Sequence, residues 1–516
     1  MSFPARHVIG LTACVLLLVG ASVQTKQPRS APSEPVIAVV GGTVIDGNGG
    51  APLSDATILI RGKRIAQIGL RGSVTVPAGA QVIDAAGKFI TPGFVDTNVH
   101  ISLYGGGVKD RKETAVRYQH EAGALTLEAA QMQLRYGVTT VRDSYGALLP
   151  LIEVRNAIAR GEAIGPRMLV AGNIVGWGGP YSVTFAQINE RDLSLYEEQF
   201  TDSITLGSGE ELLSMYPEEL RVAINKYLDR GPDFIKYGGT SHWSFPTMIG
   251  FSPEAQRVIV EETHKRGLVA ETHATSPEGL RLSVEAGIDL IQHPEVLDDR
   301  DYSDALVKQI VDRNIICSML VNTITGPAWQ KHLKDSEAAK RRIEERDAEA
   351  ADWGLKRSIQ REKTSAQKRR EQQELGAGTA SRRRNAEKLI RSGCITTLGT
   401  DNYAGAAPEY ARSPKLIWQE PGIGTLMAIE GLVELGMTPA QAIVAGTKNG
   451  AMASKGLKDF GTLEAGKIAD ILVLDADPLV EIKNIRKLSV LIRDGKIVDR
   501  SKLPTAPIMY RQTTSS

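Results

Sequence analysis

Five side chains that could bind a divalent metal stand at the ends of short, apolar, β-rich runs. They are His100, Lys236, His273, His293 and Asp401. Imidazole and carboxylate ligands suit a metal that activates water, provided that one coordination position stays open. A single histidine at a strand end is more often an ordinary hydrogen-bonded residue. Three of them in the same topological position, accompanied by an aspartate and a lysine, favour a metal site.

Two candidate residues leave their chemistry open. An ammonium group repels a cation, so Lys236 could instead bind a substrate carboxylate or replace the charge of one metal ion. His242 follows the lysine-containing run and could contact substrate or polarise its carbonyl group. A loop histidine that is hydrogen-bonded to backbone would explain its position equally well.

The elements that must position these residues alternate between helix and strand from residue 91 to residue 454. Repeated β-then-α units indicate a parallel sheet. Because the candidate ligands lie at the carboxyl ends of several strands, we expect an α/β fold with a TIM-type (β/α)8 barrel. The alternative is a doubly wound open sheet, which would gather its site at one switch point rather than around a ring.

The two ends of the chain differ from this middle part in their sequence pattern. Residues 36–90 and 455–510 contain short strand-like runs separated by glycine-rich turns, which predicts one small β-sandwich domain built from both termini. Within the barrel, residues 330–384 are highly charged and helical in character. This insert is expected to be a solvated helical hairpin, a lid over the pocket or an oligomer contact.

Composition narrows the class of partner and the compartment. The chain has 516 residues and a net charge of +1, so a nucleic-acid partner is not expected. Residues 1–27 have the features of a secretory signal, because the apolar run Val8–Val19 is too short for an ordinary membrane-spanning helix. We expect a periplasmic or secreted protein with no stable membrane insertion after cleavage. An uncleaved membrane anchor is the alternative.

Two cysteines remain outside the expected signal, Cys317 and Cys394. Each lies in a strand-like run, and these runs are expected to be neighbouring barrel strands. The expectation is a pair of buried free thiols that act as small hydrophobic residues, with a disulfide as the alternative.

Several motifs resemble those of the metal-dependent amidohydrolase superfamily, in its imidazolonepropionase-like and prolidase-like branch. Besides the candidate ligands, the motifs are Thr91-Pro92-Gly93-Phe94-Val95-Asp96, Gly137-Val138-Thr139-Thr140-Val141-Arg142-Asp143, Gly165-Pro166-Arg167, Thr447-Lys448-Asn449-Gly450-Ala451 and the run from Gly461 to Asp470. The resemblance implies that Lys236 is carboxylated by carbon dioxide and bridges two metals. It also implies that His100, His273 and His293 bind metal, and that Asp401 is both a ligand and a proton shuttle.

The chain departs from the family pattern at two places. Asn98 stands where the family has the first histidine of its His-x-His motif, and Gly178-Gly179 is followed by Pro180 rather than histidine. An amide oxygen is a weaker donor than imidazole, so the site is expected to hold one or two ions, with Asn98 as a weak ligand. The Asn-x-His opening resembles the phenylurea hydrolase subgroup.

The expected function is therefore a zinc-type metal-dependent hydrolase that cleaves an amide, urea or peptide-like C–N bond through metal-activated hydroxide. The expected substrate is a small or peptide-like molecule, and a homo-oligomer is expected. Hydrolysis of an ester, lactone or phosphoester is the alternative chemistry, and a non-catalytic binding protein on the same scaffold is the alternative class. Aromatic Trp177, Tyr181 and Trp243 could line an apolar pocket.

Overall fold

A computed structural model of the protein describes residues 35–104, 108–242, 247–352, 363–404 and 416–505. The expected secretory signal at residues 1–27 lies outside these ranges. Among the helices of the described ranges, none combines the length and the apolar character that crossing a bilayer requires.

Strands occur at both ends of the chain and throughout its middle. The strands in the described ranges are β1 (Val36–Val44), β2 (Leu53–Arg61), β3 (Arg64–Leu70), β4 (Gln81–Asp84), β5 (Phe89–Pro92), β6 (Phe94–Tyr104), β7 (Val138–Asp143), β8 (Arg167–Val170), β9 (Phe234–Gly238), β10 (Val269–His273), β11 (Leu290–Gln292), β12 (Ile316–Met319), β13 (Ile395–Leu398), β14 (Asn402–Ala404), β15 (Ile471–Leu474), β16 (Leu488–Arg493) and β17 (Lys496–Ile497).

Helices separate most of the central strands. The α-helices in the described ranges are α1 (Val108–Arg117), α2 (Ala122–Arg135), α3 (Leu148–Arg160), α4 (Val183–Ala186), α5 (Leu195–Thr205), α6 (Pro217–Leu228), α7 (Pro253–Lys265), α8 (Pro277–Ala286), α9 (Asp304–Asp312), α10 (Gly326–Asp352), α11 (Ser365–Glu374), α12 (Ala377–Arg391), α13 (Ile423–Glu434), α14 (Pro439–Val444) and α15 (Gly450–Ala453).

The strands β6 to β13 are parallel and follow one another in sequence order. β6, β7 and β8 pair together, and β9 to β13 form a second group. Val175, just beyond β8, bridges to Tyr237 of β9, and β14, just beyond β13, pairs with β6. These contacts join the two groups at both seams, as a barrel requires. The predicted α/β barrel fold is confirmed.

Local sequence sets the ends of the helices that precede the histidine-bearing strands. The side chains of Ser252 and Ser276 cap α7 and α8, and each is followed by proline at the first helical position. Gly287 ends α8 in the left-handed conformation, at φ 91°. These boundaries determine where β10 and β11 begin, and therefore where His273 and His293 lie.

Strands from both ends of the chain share one sheet, in the order β17-β16-β15-β5-β1-β2-β3, with β4 paired to β1. β15 pairs antiparallel with β5, so residues 471–474 lie directly against residues 89–92. Ile58, Ile60 and Ile492 are fully buried in the apolar core of this sheet. The two termini therefore build one β-structure together, and the domain bounds expected from the sequence stay a prediction.

The charged insert at residues 330–384 is helical where it is described, and it comprises most of α10, α11 and the start of α12. Exposed ion pairs such as Arg346–Glu374 at 3.4 Å link α10 to α11. Pairs of this kind contribute little to stability, because both partners remain hydrated. Residues 353–362 lie outside the described ranges. A lid or an oligomer contact stays a prediction for this insert.

The prediction of free thiols was wrong, because Cys317 and Cys394 form a disulfide. β12 and β13 are adjacent parallel strands, and Cys317 lies opposite Thr396, two residues after Cys394. Their Cα atoms are 6.5 Å apart, within the usual range for a disulfide. The sequence indicated neighbouring strands but not their register, and the register decides whether the two sulfur atoms meet.

Replacing both Cys317 and Cys394 by alanine is expected to lower the free energy of unfolding by about 2–4 kcal/mol, because the crosslink restricts the unfolded chain. Denaturant titration of the parent and the double variant measures the difference. A reductant should destabilise the parent and leave the double variant unchanged. A parent protein that is insensitive to reductant would contradict the crosslink's contribution.

Candidate metal centre

A cavity of about 380 Å³ opens at the carboxyl ends of the barrel strands. The residues predicted from the sequence that line it are His100, Lys236, His242, His273, His293 and Asp401. Asn98 is fully buried beside Asp401. The fold therefore brings together all the residues that the sequence analysis selected for the site.

Two of these residues lie at bends where the backbone is left-handed. His293 has φ 37° directly after β11, and Asp401 has φ 49° between β13 and β14. Such values are uncommon for residues with a side chain and persist only where surrounding contacts hold them. The backbone N–H of His293 donates to the carbonyl oxygen of Ser318 at 2.7 Å, and the backbone N–H of Asp401 donates to the carbonyl oxygen of Asn98 at 2.9 Å. These bonds hold the two bends.

The imidazoles of His273 and His293 face each other in the cavity. Nδ1 of His273 lies 2.9 Å from Nε2 of His293. Burial is the main cause that lowers the pKa of His293 to about 3, and it also places the pKa of His273 well below its usual value. Both rings are therefore neutral at physiological pH, which is the form that binds metals.

A second polar group surrounds the Asp401 carboxylate. Its Oδ1 lies 3.4 Å from Nε2 of His100 and accepts a short hydrogen bond from Nδ2 of Asn98. Burial by itself would raise the pKa of Asp401. The hydrogen bond with His100 is the largest of the interactions that together outweigh burial and lower the pKa of Asp401. Asp401 therefore remains ionised at neutral pH.

Lys236 is buried and lies within the same polar group. Its Nζ donates to Oγ of Ser144 at 3.2 Å, and Ser144 in turn donates to the amide oxygen of Asn98. Burial is the main cause that lowers the pKa of Lys236, although the carboxylates of Asp401 and Glu271 oppose it. The environment thus favours the neutral amine more than water does.

His242 lies at the exposed edge of the cavity. Its ring stacks on Phe185 with centroids 4.4 Å apart, and its Nδ1 is 3.1 Å from the Phe185 carbonyl oxygen. Its ring centroid is 5.9 Å from that of His273. The backbone contact matches the structural alternative for this residue, while its place in the lining keeps it within reach of a substrate.

Aromatic residues form one wall of the cavity. Trp177 lines it and packs edge-on against His273 at 4.6 Å, with Tyr145 and Phe185 beside it. Tyr181 is buried and packs against Phe200 instead. Trp243 lies outside the described residues.

Sequence reasoning missed several residues of the site, among them Ser144, Tyr145 and Arg382. Ser144 and Tyr145 directly follow β7, and Arg382 reaches the cavity from α12. The position after a barrel strand could have indicated the first two. Arg382 had no such indication, because it is one of three consecutive arginines in a charged helix.

The amidohydrolase family model matches residues 89–498, which include the whole barrel. The chain belongs to the amidohydrolase family. An ochratoxinase from Aspergillus niger is 24% identical over 458 residues, which cover 87% of this chain and 83% of the relative. An imidazolonepropionase from Anaeromyxobacter sp. (strain K) is 23% identical over 456 residues, which cover 82% of this chain and 84% of the relative.

Two solved structures resemble most of this chain. Molinate hydrolase superposes with a TM-score of 0.78 at 28% sequence identity. The superposition covers 93% of this chain and 97% of the molinate hydrolase chain. Phenylurea hydrolase B gives a TM-score of 0.77 at 27% identity and covers 92% of this chain and 99% of its own. Family membership confirms that the protein is a hydrolase and disfavours the non-catalytic binding protein.

The donor set of this amidohydrolase fits a divalent ion by its chemistry, although within the described ranges no three His, Cys, Asp or Glu side chains come together as a ready-made ligand group. His273 and His293 are both neutral, and their facing nitrogen atoms lie 2.9 Å apart. The ring that donates the hydrogen bond between them has no proton on its other nitrogen atom, so at least one lone pair stays available. Nε2 of His273 and Nδ1 of His293 are buried without a hydrogen-bond partner among these residues. Asp401 supplies an ionised carboxylate across the cavity.

Both the oxygen and the nitrogen atom of the Asn98 amide already make hydrogen bonds within the protein. Its oxygen accepts from Ser144 and its nitrogen donates to Asp401. The amide thereby orients the carboxylate of Asp401. Metal binding through the amide oxygen, as expected from the sequence, stays a prediction and would require Ser144 to give up that acceptor.

In metal-free protein, His293→Gln is expected to flatten the fall in stability below pH 6.5. The unfolded chain binds a proton at this histidine below about pH 6.5, whereas the folded chain binds one only near its lowered pKa of about 3. The parent therefore loses up to about 1.4 kcal/mol per pH unit within that window. Thermal unfolding at several pH values measures the slope, with His264→Gln, an exposed histidine, as control. Parallel slopes for parent and His293→Gln would contradict the expectation.

Proposed function

We propose that this amidohydrolase is a metal-dependent enzyme that hydrolyses an amide or urea C–N bond of a small molecule. The convergence of the His273–His293 pair and the His100–Asp401 pair on one cavity, which Lys236 also lines, carries the proposal. The names of the relatives agree with it, since one hydrolyses phenylureas and another is an imidazolonepropionase.

The residues that would hold the metal are His100, Lys236, His273, His293 and Asp401, with zinc as the expected ion. A bound divalent ion would supply hydroxide at neutral pH by lowering the pKa of a water ligand from about 15.7 to about 7. Lys236 would contribute best as a carbamate, because a neutral buried amine can add to carbon dioxide, release one proton to solvent and then offer anionic oxygen atoms. Whether the site holds one ion or two depends on Asn98.

The protein's own groups would move the proton. Asp401 is ionised and accepts the proton of the attacking water, and it then delivers that proton to the leaving nitrogen. Asn98 holds the carboxylate in place through its Nδ2 donor. His242 at the cavity edge would contact the substrate carbonyl group. The aromatic wall with Trp177 would exclude water from one side of the bond.

We also propose that the protein is exported to a periplasm or to the outside. The apolar segment near the N-terminus supports export. The Cys317–Cys394 disulfide supports it independently, because such bonds form and persist in oxidising compartments. N-terminal sequencing of the exported protein tests the cleavage near residue 27.

Asp401→Asn, His293→Ala and Lys236→Met are each expected to lower kcat/KM by at least about 100-fold, because each removes a proton carrier or a metal ligand. Activity on dipeptides, anilides and phenylureas, measured together with bound metal, tests this. His264→Ala, which alters an exposed histidine, should keep the parent's activity. Near-normal turnover in Asp401→Asn or His293→Ala would refute the proposed mechanism.

Asn98→His is expected to tighten binding of one metal ion, because imidazole is a stronger donor than an amide oxygen. Elemental analysis and competition with a chelator measure ion content and affinity per chain. Asn98→Ala serves as the matched control that removes the amide without adding a donor. Unchanged content and affinity in both variants would place residue 98 outside the coordination sphere.

A further inference from the structure

The cavity has two unlike walls that lie on opposite sides of the barrel. The apolar wall consists of residues that follow β7 and β8, namely Tyr145, Ile174 and Trp177. Arg382 lies at the other wall, where it contacts the segments that follow β11 and β12. In a ring of eight strands in sequence order, β11 and β12 are four positions from β7 and β8. A substrate that fills the cavity therefore meets an aromatic surface on one side and a guanidinium group on the other.

Arg382 uses only part of its donor capacity within the protein. Its Nη2 donates to Oε1 of Glu295 at 3.2 Å and to Oγ1 of Thr323 at 2.7 Å. A guanidinium group has five N–H donors. Among the described residues, the N–H group on Nε has no hydrogen-bond partner. Its side chain is 21% exposed, so the unused donor belongs to a mostly enclosed cation at the cavity.

The two neighbouring arginines of α12 show that this orientation is particular to one position. Arg383 binds Glu434 at 2.7 Å and stacks over Trp329, and Arg384 binds Asp301 at 2.9 Å. Both point to partners other than the cavity lining. Within one turn of α12, the guanidinium of Arg382 therefore lies at the cavity, whereas those of Arg383 and Arg384 pair with carboxylates elsewhere.

We propose that Arg382 binds a carboxylate group of the substrate, so that the preferred substrate is an N-acyl amino acid or a related amide with an apolar or aromatic group on one side of the scissile bond and a carboxylate on the other. This inference rests on the proposed function and deepens it. Charge-assisted hydrogen bonds from arginine to carboxylate are stronger than neutral ones, and a partly enclosed site strengthens them further. The cavity volume of about 380 Å³ accommodates a ligand of that size.

A purely structural role for Arg382 makes a different set of predictions. In that case the guanidinium group would serve only to neutralise Glu295, which is fully buried. Removing Arg382 alone would then leave an unpaired buried carboxylate and destabilise the fold, with equal effects on all substrates. The double variant Arg382→Met/Glu295→Gln removes both charges, so it separates the two roles.

The test uses two substrates that differ at a single group, N-benzoylphenylalanine with a carboxylate and N-benzoylphenylalaninamide with an uncharged carboxamide, and it follows cleavage of the benzoyl amide bond in both. Arg382→Met and the double variant are expected to lower kcat/KM for the carboxylate by about 10- to 100-fold, mainly through KM, with less than a threefold change for the carboxamide. Arg382→Lys should restore part of the loss. Arg384→Met, which alters the arginine paired with Asp301, is the matched control and should resemble the parent.

Calorimetric binding of N-benzoylphenylalanine to the Asp401→Asn protein provides a readout that does not require turnover. If adding Arg382→Met abolishes this binding, the carboxylate proposal is supported even when neither substrate is hydrolysed. A lack of hydrolysis would then count only against the proposed function. Equal binding with and without Arg382, or equal losses for the acid and the carboxamide, would overturn it. The second pattern would leave the proposed function intact and make Arg382 a structural partner of Glu295.

Discussion

The segment from β13 to β14 both joins the last barrel strand to the first and positions a carboxylate of the site, and the rest of the site depends on it. β13 pairs with β12 and β14 pairs with β6, so this short stretch joins the last strand of the barrel to the first. Asp401 lies at the bend between them, where φ is 49°. The position of the carboxylate is therefore a consequence of barrel closure. A change in the register of either pairing would move Asp401 away from His100.

Hydrogen bonds beneath the site hold this closure in place. The Thr97 hydroxyl donates to the Leu398 carbonyl at 2.8 Å across the β6–β13 seam. Asp96 accepts hydrogen bonds from Thr400 and Thr425, both at 2.7 Å. Burial is the main cause that raises the pKa of Asp96 to about 7. Thr97 and Asp96 are thus hydrogen-bonded across this seam, which lets them be buried without a large loss of stability.

A buried ion pair crosses the barrel interior below these residues. Arg142 of β7 lies 2.6 Å from Glu271 of β10, and both side chains are fully buried. Gln292 donates to the same carboxylate at 2.8 Å, and the Arg142 guanidinium lies over the ring of Phe234 at 4.0 Å. A buried pair is costly to break, because the remaining charge has no water. The pair therefore ties β7 to β10, the strand that ends in His273.

That the candidate ligands line one cavity could be predicted from the chain, because each ends a β-rich run and the carboxyl ends of parallel strands meet at one face. The barrel followed from the same alternation of strands and helices. The sequence could not determine that Cys317 meets Cys394, since strand register depends on pairing across 77 residues. It could not determine that the amide of Asn98 is engaged by Ser144 and Asp401, nor that Arg382 alone among three arginines reaches the cavity. Residue types and strand ends are local properties of the chain, whereas side-chain direction and partner choice arise only when distant segments pack together.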